Sequence, residues 1–429
     1  MADRSFPQLH GRPARGWLND PNGLCRVDGR YHVFFQHNPD AAVHGAICWG
    51  HISSPDLLHW REHPIALRPV AGGLSAGGCW SGCVVDEDGV PTAVYTALPD
   101  EDAGHAVVAL ARSDRTLEHW QQDPRPGPGR PDDGSVTDVR DPFLFTYAGH
   151  RYAVQGAGRA GGPPSLLVWG CDELTTWVPL GSLLDITDPL AAEVAPADIW
   201  ECPNLVQVDG TWVLLVSIWR FTAGASELVG VRYLLGDLQP DGAGLRFRPT
   251  AGGVLDDGPA FYAPQVLVDD DRVLLWGWAW ELGRTVAEVE AAGWAGVLTF
   301  PRKLAVKEGG DGPVLVCGPA AELTALRRGL LADPTTKPFA EPAFEVLATG
   351  PVRLELVDAG ADAVRSVAGT AGSPELPARI LVDGSMLEVF ADGRSWTGRG
   401  YPRASERWRL VADPDAVTVY RLGLPGAAD

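Results

Sequence analysis

The sequence predicts an all-β protein, a five-bladed β-propeller followed by a C-terminal β-sandwich. Short runs of β-branched and aromatic residues, such as YHVFFQ, PTAVYTAL and TWVLLVSIW, alternate with Asp-Gly and Gly-rich turns, which is typical of an all-β chain. A local pattern recurs about every 60 residues over the first 300. Strand-like segments resume near residue 336 without that period.

The recurrence predicts the number of blades. Successive units can be marked by one residue each, with steps of 60, 61, 60 and 61 residues: Asp20, Trp80, Asp141, Glu201 and Tyr262. A fixed period with several short strands per unit indicates a propeller. Five units over residues 5–302 therefore predict five blades, whose marked residues lie on the innermost strands and converge on the central channel. The alternative is a chance recurrence of turn residues.

The domain boundaries follow from where the period stops. We expect the propeller, as the catalytic domain, over residues 1–302 and a Gly/Pro-rich linker with a short helix, PAAELTALRRGL, over 303–335. Residues 336–429 contain short strands such as AFEVLA, VRLELVDA and VTVYRL, which predict a β-sandwich. Because these strands carry no titratable cluster, we expect the sandwich to be structural and to pack against the propeller.

Charge excludes several classes of partner. The formal net charge is −20, and the chain has only three lysines, none before Lys303. Nucleic acids and anionic membranes both require basic patches, so neither is an expected partner. The same scarcity of lysine weighs against a strongly phosphorylated ligand.

The N-terminal segment and the cysteines predict a cytoplasmic protein. The first residues lack the apolar run of a secretory signal, and the longest nearly apolar run, WVLLVSIW, is too short to span a membrane. The seven cysteines are scattered, and Cys79 and Cys83 lack the spacing of a zinc site. The segment HWREH places two histidines four residues apart, but its strand-and-turn context does not favour metal binding. We expect reduced thiols, no metal and no cofactor.

Three acidic residues, Asp20, Asp141 and Glu201, are the candidate catalytic groups. They lie in the compact segments WLNDPNGL, VRDPF and IWECP. Glycoside hydrolysis needs two carboxylates across one sugar, and a third nearby carboxylate can raise the pKa of one of them. Alone, each could be structural: Asp20 a turn residue, Asp141 a partner of Arg140, Glu201 a satisfied buried carboxylate. Their shared phase in the repeat favours a site.

These segments resemble the signature motifs of glycoside hydrolase family 32, the β-fructofuranosidases. Further matches occur in the family's order, namely YHVFFQHNP, WGHISSPDLLHW, WSGCVV, FYAPQ, GWAGVLTFPRKL and DGSMLEVFADG. The resemblance covers nearly the whole chain. It implies a five-bladed propeller joined to a β-sandwich and a reaction that retains anomeric configuration.

The resemblance also implies roles for individual residues. Asp20 would be the nucleophile that forms a fructosyl-enzyme, and Glu201 would be the general acid and then the base. Asp141, with Arg140, would bind fructose hydroxyls and stabilise the transition state. Retention requires carboxyl groups about 5–5.5 Å apart. The remaining substrate-binding residues implied by the motifs are Trp17, Leu18, Asn19, Gln36, Trp80 and Ser81.

Three positions depart from the family pattern. Many members have Trp at the position of His44 and Asp at the positions of Asn204 and Ala260. We expect these residues to shape the rim and surroundings of the pocket. They leave the reaction type unchanged and put the preference for a leaving group in doubt.

The predicted function is hydrolysis of the terminal β-D-fructofuranosyl bond of sucrose or short fructo-oligosaccharides, by a monomer or homodimer. A fructosyltransferase would use the same covalent intermediate and stays open. So do an inverting five-bladed arabinosidase or xylosidase and an inactive sugar-binding module. The sequence does not decide between sucrose, sucrose 6-phosphate and longer fructans, although the scarcity of lysine favours a neutral sugar.

Overall fold

The fold is a five-bladed β-propeller followed by a β-sandwich, as the sequence predicts. The computed structural model describes residues 3–426 apart from 132–133, 135, 160–161, 223–224, 311 and 359–363. Each blade is one sheet whose first strand lies innermost, and neighbouring innermost strands contact one another around the ring. In the described part of the chain, the helices are all too short to cross a membrane.

The first four blades have the same plan of four consecutive strands. Blade 1 contains β1 (Gly16–Val27), β2 (Arg30–Asn38), β3 (Cys48–Ser54) and β4 (Arg61–Glu62). Blade 2 contains β5 (Gly78–Glu87), β6 (Val90–Leu98), β7 (Val107–Ser113) and β8 (Trp120–Gln122). Blade 3 contains β9 (Val136–Tyr147), β10 (His150–Arg159), β11 (Gly162–Gly170) and β12 (Val178–Asp185). Blade 4 contains β13 (Ile199–Val208), β14 (Thr211–Thr222), β15 (Ala225–Asp241) and β16 (Gly244–Val254).

Blade 5 is interrupted by the segment that closes the ring. Its strands are β17 (Phe261–Asp269) and β18 (Arg272–Ala279), then β19 (Trp294–Ala295), β20 (Val297–Leu298), β21 (Arg302–Gly309) and β22 (Gly312–Pro319). Strand β19 pairs with β1 of blade 1, whereas β20 pairs with β18. Gly296 joins them with φ 74°, and a Cβ there would overlap the carbonyl oxygen of Leu18. The closure therefore requires glycine at this position.

The predicted boundary at residue 302 is wrong. Strand β21 pairs with β18, and β22 pairs with β21, so blade 5 extends to Pro319. Because β19 and β20 lie in the sequence between β18 and β21, the strand β21 begins later in the sequence than the 60-residue period predicts. The Gly-rich stretch that suggested a linker belongs to the β21–β22 hairpin, where Gly309 pairs with Gly312. The predicted short helix is a 3-10 helix, Ala321–Leu326.

The sandwich consists of two sheets. The six-stranded sheet has the order β23-β31-β24-β27-β28-β29 and the three-stranded sheet the order β26-β25-β30. The strands are β23 (Arg327–Leu330), β24 (Ala343–Ala348), β25 (Pro351–Asp358), β26 (Val364–Ala371), β27 (Ala378–Asp383), β28 (Met386–Ala391), β29 (Arg394–Arg399), β30 (Glu406–Ala412) and β31 (Val417–Leu422). Phe344, Leu354, Ile380 and Trp408 pack between the sheets.

The helices lie in connections between strands. Among the described residues they are the 3-10 helices Ala103–His105, Ala321–Leu326 and Pro414–Ala416 and the α-helices α1 (Pro189–Val194) and α2 (Val286–Ala292). Helix α2 lies in the ring-closing segment of blade 5. It begins at a capping box between Thr285 and Glu288 and ends at Gly293, whose φ is 71°.

Candidate active site

Each innermost strand carries a bulge at the same point of its blade. In blade 1, Asn19 and Asp20 lie opposite the single residue Gln36, between the pairs Leu18–His37 and Pro21–Phe35. A bulge of this kind bends the strand and re-aims its side chains. The five bulged pairs are Asn19–Asp20, Trp80–Ser81, Asp141–Pro142, Cys202–Pro203 and Ala263–Pro264. Their first members recur every 61 residues.

The bulges of blades 3 to 5 share a backbone conformation. Their first residues have positive φ, 58° at Asp141, 45° at Cys202 and 43° at Ala263. Side-chain-bearing residues adopt this conformation at a cost of about 1–3 kcal/mol. A proline follows each of them, and because proline has no backbone N–H, it suits a point where the ladder is broken. The strain is therefore built into the inner wall of the channel.

This register explains the alternation of 60 and 61 in the sequence. Glu201 and Tyr262 immediately precede their bulges, Trp80 and Asp141 are first members, and Asp20 is a second member. The three acidic residues therefore occupy three neighbouring positions of one repeated feature, not one position. All three nevertheless reach the same cavity.

The innermost strands surround a cavity of about 390 Å³ at the axis. Its lining residues are Trp17, Asn19, Asp20, Gln36, His44, Trp80, Arg140, Asp141, Glu201, Trp219, Ser226, Leu228, Tyr262 and Trp278. Eight of the ten site residues expected from the sequence are among them. Asp20, Asp141 and Glu201 are each less than 10% exposed, so their carboxyl groups are largely removed from water.

Leu18 is not a pocket residue, which corrects the expectation from the sequence. It is fully buried in a hydrophobic cluster with Phe35, Trp276 and Leu298. Because side chains alternate along a strand, Trp17 and Asn19 face the cavity while Leu18 faces the opposite side. Asp20 can face the cavity next to Asn19 only because of the bulge.

Neutral donors hold the Asp20 carboxylate in one orientation. Its Oδ2 accepts hydrogen bonds from Ser81 Oγ at 2.6 Å and Gln36 Nε2 at 3.1 Å. Its Oδ1 accepts one from Asn19 Nδ2 at 3.1 Å. Asn19 is itself fixed, because its Oδ1 accepts a hydrogen bond from Trp17 Nε1 at 2.9 Å. Ser81 therefore orients Asp20 through this hydrogen bond but does not itself line the cavity.

The Cys202 thiol lies between two of the carboxylates. Its Sγ is 3.5 Å from Asp20 Oδ2 and 3.6 Å from Asp141 Oδ2. The backbone N–H of Cys202 donates to Asp141 Oδ2 at 2.9 Å, and the N–H of Asp141 donates to Thr96 Oγ1 at 2.8 Å. Burial raises the pKa of the Cys202 thiol well above its usual value. It therefore stays protonated and can donate to either carboxylate.

Glu201 has the environment of an acid that keeps its proton at neutral pH. Burial raises its pKa to about 8, and the charges of Asp141 and Asp20 act in the same direction. Arg140, whose Nε is 3.6 Å from Glu201 Oε1, opposes this rise. So does Tyr262, whose hydroxyl donates to Glu201 Oε2 at 2.8 Å. A carboxyl group with such a pKa can act as a general acid near pH 7.

Asp141 and Arg140 form the wall next to Glu201. Burial raises the pKa of Asp141 to about 6, while Arg140 opposes that rise. The Arg140 guanidinium lies between the rings of Trp80 and Trp219, 5.9 Å and 5.4 Å from their centroids. Its buried Nε donates no hydrogen bond to any described residue. One N–H of this guanidinium thus has no acceptor among the described residues.

The three departures from the family pattern lie in different places. His44 lines the cavity and meets Trp17 edge-on, with ring centroids 6.2 Å apart. Asn204 is buried and donates to the carbonyls of Cys202 and Pro264, at 3.0 Å and 2.9 Å, so it joins blades 4 and 5. Ala260 is fully buried and does not line the cavity. Only His44 is placed to contact a ligand.

Sequence reasoning missed several residues of the cavity. The sequence predicts Tyr262 only as a marker of the repeat and predicts no role for Cys202. Their recurrence at 61 residues from Glu201 and Asp141 was the available signal. The other missed lining residues are Trp219, Ser226, Leu228 and Trp278. They lie on second and third strands of their blades, where the sequence shows no motif.

The chain resembles a known protein family in sequence and several solved structures in fold. Residues 10–319 match the family model for the glycosyl hydrolases family 32 N-terminal domain. The sucrose-6-phosphate hydrolase of Klebsiella pneumoniae is 34% identical over 347 residues, which are 76% of this chain and 69% of that protein. The raffinose invertase of Escherichia coli is 32% identical over 75% of this chain and 66% of its own length. The structure of sucrose-6-phosphate hydrolase from Lactobacillus gasseri has a TM-score of 0.80 at 24% identity, over 98% of this chain and 94% of that one.

Proposed function

The chain belongs to glycoside hydrolase family 32, and we propose that it is a retaining β-fructofuranosidase. Its substrates would be sucrose or short fructo-oligosaccharides, cleaved at the terminal β-D-fructofuranosyl bond. One observation carries the proposal: Glu201, with a pKa raised to about 8, shares a cavity with Asp20, whose two oxygens are held by hydrogen bonds. An acid and an oriented carboxylate are the two groups that retention needs.

The first chemical step uses both groups. Asp20 attacks the anomeric carbon of the fructosyl unit and forms an ester, while the bond to the leaving oxygen breaks. Glu201 gives its proton to that oxygen, so that the leaving sugar departs as a neutral alcohol. Proton donation of this kind contributes about 10²–10⁴-fold to the rate.

In the second step, the ionised Glu201 takes a proton from water, and the water oxygen attacks the anomeric carbon while the bond from that carbon to Asp20 breaks. Fructose leaves, Asp20 regains its carboxylate, and Glu201 is protonated again. Arg140 and Tyr262 favour the charged form of Glu201, so they stabilise it between the steps. Asp141 and Arg140 would bind fructose hydroxyls and stabilise the positive charge that develops on the sugar ring.

The lining of the cavity favours a neutral substrate over a phosphorylated one. Among the lining residues that the structure describes, Arg140 is the only arginine or lysine, and Glu201 and Asp141 already lie beside it. His44 is the only other lining group that could be cationic, and an ordinary imidazole is mostly neutral at pH 7. A phosphate dianion would therefore lack the cations that it needs.

Two substitutions test the assignment. We expect Asp20→Asn to abolish turnover of sucrose, because the amide cannot form the ester. Glu201→Gln should lose about 10²–10⁴-fold on sucrose and much less on a fructoside whose leaving group needs no proton. The measurements are kcat and KM for sucrose, sucrose 6-phosphate, raffinose, inulin and levan, with NMR detection of the fructose anomer first released.

Glu227→Gln is the matched control, because Glu227 is exposed and does not line the cavity. Near-normal kcat in Asp20→Asn would refute its role as nucleophile. Initial release of the inverted anomer would establish an inverting enzyme. Predominant oligofructan formation at high sucrose concentration would establish a transferase, and the absence of hydrolysis of every fructoside would leave a binding module.

A further inference from the structure

The β14–β15 hairpin of blade 4 forms one wall of the cavity. Trp219 pairs with Leu228 across this hairpin, and Phe221 pairs with Ser226. Trp219, Leu228 and Ser226 all line the cavity. Residues two apart on a strand, and their partners directly opposite, share one face of a sheet. Phe221 therefore lies on the cavity face, one step closer to the end of the hairpin.

Phe221 continues the aromatic wall outward from the cavity. Its ring centroid is 6.0 Å from that of Trp219, with the planes inclined by 40°. Phe221 is 61% exposed, among the most exposed of the large hydrophobic residues that the structure describes. A single exposed apolar side chain is ordinary on a protein surface. This one differs because it extends a wall that already belongs to the proposed active site.

Hydrogen bonds fix the hairpin at this point. The Arg220 guanidinium donates to the carbonyl oxygen of Pro196 at 3.0 and 3.2 Å. The N–H of Phe221 donates to Asp198 Oδ2 at 2.6 Å, and the N–H of Asp198 donates to the carbonyl of Trp219 at 2.9 Å. The backbone that carries the two rings is therefore held in place before any ligand arrives, which lowers the entropic cost of binding.

The wall lies next to Glu201, the proposed proton donor to the leaving group. Glu201 pairs with Ser217 on β14, two residues before Trp219. Trp219 packs against the Arg140 guanidinium, which in turn neighbours Glu201. In the proposed reaction Glu201 protonates the leaving oxygen. A leaving group directed away from Asp20 and past Glu201 would therefore run along Trp219 towards Phe221.

We propose that Phe221, together with Trp219, forms a platform for the second sugar of the leaving group. The inference rests on the proposed function and adds a preference for neutral fructosides of three or more sugars. Sugar rings present C–H faces that pack on aromatic rings, much as aromatic rings pack on one another. Sucrose, whose leaving group is one sugar, would end near Trp219, whereas a disaccharide leaving group would reach Phe221.

The test compares substrates that differ in the leaving group. In Phe221→Ala, the ratio of kcat/KM for 1-kestose or raffinose to kcat/KM for sucrose should fall about 3- to 10-fold, the scale of packing between two aromatic rings. Phe221→Tyr should preserve the ratio, because the ring remains. Val268→Ala is the control, because Val268 is also 61% exposed and does not line this cavity. Its ratio should equal that of the unsubstituted protein.

Equal losses on all substrates, or an unchanged ratio in Phe221→Ala, would overturn the platform while leaving the proposed function intact. Hydrolysis of no fructoside would overturn the proposed function instead. Calorimetry decides the platform separately: Asp20→Asn should bind 1-kestose more tightly than Asp20→Asn/Phe221→Ala does. Equal dissociation constants in the two proteins would refute the platform.

Discussion

Tyr262 of blade 5 influences the pKa of Glu201 through a hydrogen bond. Its hydroxyl donates to Glu201 Oε2, and burial raises the pKa of Tyr262 well above its usual value, so this donor stays protonated. A donated hydrogen bond favours the charged form of a carboxyl group. Tyr262 therefore keeps the pKa of Glu201 lower than burial alone would set it. In the proposed mechanism the lower pKa makes Glu201 a stronger acid in the first step and stabilises its anion afterwards.

Substituting Tyr262 should therefore move the pH profile. In Tyr262→Phe we expect the pKa of Glu201 to rise further, because one group that favours its anion is gone. The general acid must be protonated, so activity is lost as pH rises through this pKa, and a higher pKa moves that loss to higher pH. We also expect kcat at the optimum to fall about 5-fold, from loss of a hydrogen bond that contributes about 1 kcal/mol. The measurement is kcat/KM on sucrose against pH, which reports the free enzyme.

A second buried tyrosine controls for structural damage. Tyr95 is 1% exposed and donates to Gln122 at 3.1 Å, away from the cavity. Tyr95→Phe should leave the alkaline limb of the profile where it is. An alkaline limb that stays fixed or moves to lower pH in Tyr262→Phe would contradict the role of Tyr262.

The sequence predicts the acidic residues better than their partners. Asp20, Asp141 and Glu201 lie in recognisable segments, and their phase could be counted along the chain. Whether Leu18 faced the cavity depended on side-chain alternation and on the position of a bulge, which the motif does not encode. The contacts of Cys202 with Asp20 and Asp141 join three blades, so only the closed ring reveals them.

At the scale of elements, the repeated bulge is what makes five similar strands into one site. It places two adjacent side chains, such as Asn19 and Asp20, where a regular strand would alternate them. Residues 141, 202 and 263 have positive φ despite their side chains. The bulge is therefore kept at positions where glycine would adopt the same backbone conformation without strain. The period predicted from the sequence counts blades correctly, but only the strand register locates the bulge within each blade.

Rings from β2, from β3 and from His63, which follows β4, form a buried stack in blade 1. His51 stacks on Phe34 and on His63, with ring centroids 4.3 Å apart in both pairs. Its Nε2 forms a hydrogen bond with His32 Nδ1 at 2.9 Å. Its buried Nδ1 forms no hydrogen bond with any described residue. Burial lowers the pKa of His51 strongly and that of His32 to about 4. Both histidines are therefore neutral in the folded protein.

This stack should make the propeller sensitive to acid. Unfolded histidines titrate near pH 6.5. Below that pH the unfolded chain binds more protons than the folded protein, so the free energy of unfolding decreases as the pH is lowered. Each such histidine costs about 1.4 kcal/mol per pH unit. In His51→Phe we expect a smaller loss of stability between pH 6.5 and 4.5, by up to about 2.7 kcal/mol. At pH 7.5 the cost should be about 1 kcal/mol, from the lost bond to His32.

Urea unfolding at pH 7.5, 6.5 and 4.5 measures this dependence. His150→Gln is the control, because the His150 side chain is 65% exposed beside Asp172. Its stability should follow that of the unsubstituted protein at every pH. If His51→Phe also lost stability as steeply as the unsubstituted protein, the stack would not be the source of the acid sensitivity.

At the scale of the whole molecule, a buried charge network joins the propeller to the sandwich. Arg302 donates to Asp256 at 2.7 Å and to Glu388 at 2.9 Å, all with side chains at most 1% exposed. His10, near the N-terminus, contacts Glu388 at 3.1 Å and Asp383 at 2.8 Å. Burial opposes the charge on His10, but the two carboxylates outweigh it and raise its pKa. The network brings together three distant parts of the chain.

The sequence predicts the two domains but not what holds them together. The segments FPRKL and DGSMLEVFADG appear as separate matches to the family pattern, and nothing in either shows that Arg302 pairs with Glu388. The boundary placed after residue 302 leaves Arg302 in the propeller but separates it from the rest of β21, the strand on which it lies. Such long-range pairing depends on the packing of two finished domains and has no local signal.

Loss of one carboxylate should therefore destabilise the whole protein. In Glu388→Gln, Arg302 keeps only Asp256 as a charged partner, and breaking a buried pair costs about 3–5 kcal/mol. Urea unfolding followed by tryptophan fluorescence and by residual sucrose hydrolysis measures the loss. Glu341→Gln is the control, because its pair with Arg421 is 28% and 45% exposed and should contribute less than about 1 kcal/mol. Equal stabilities for the two variants would mean that the network does not hold the domains together, and that apolar packing at the interface suffices.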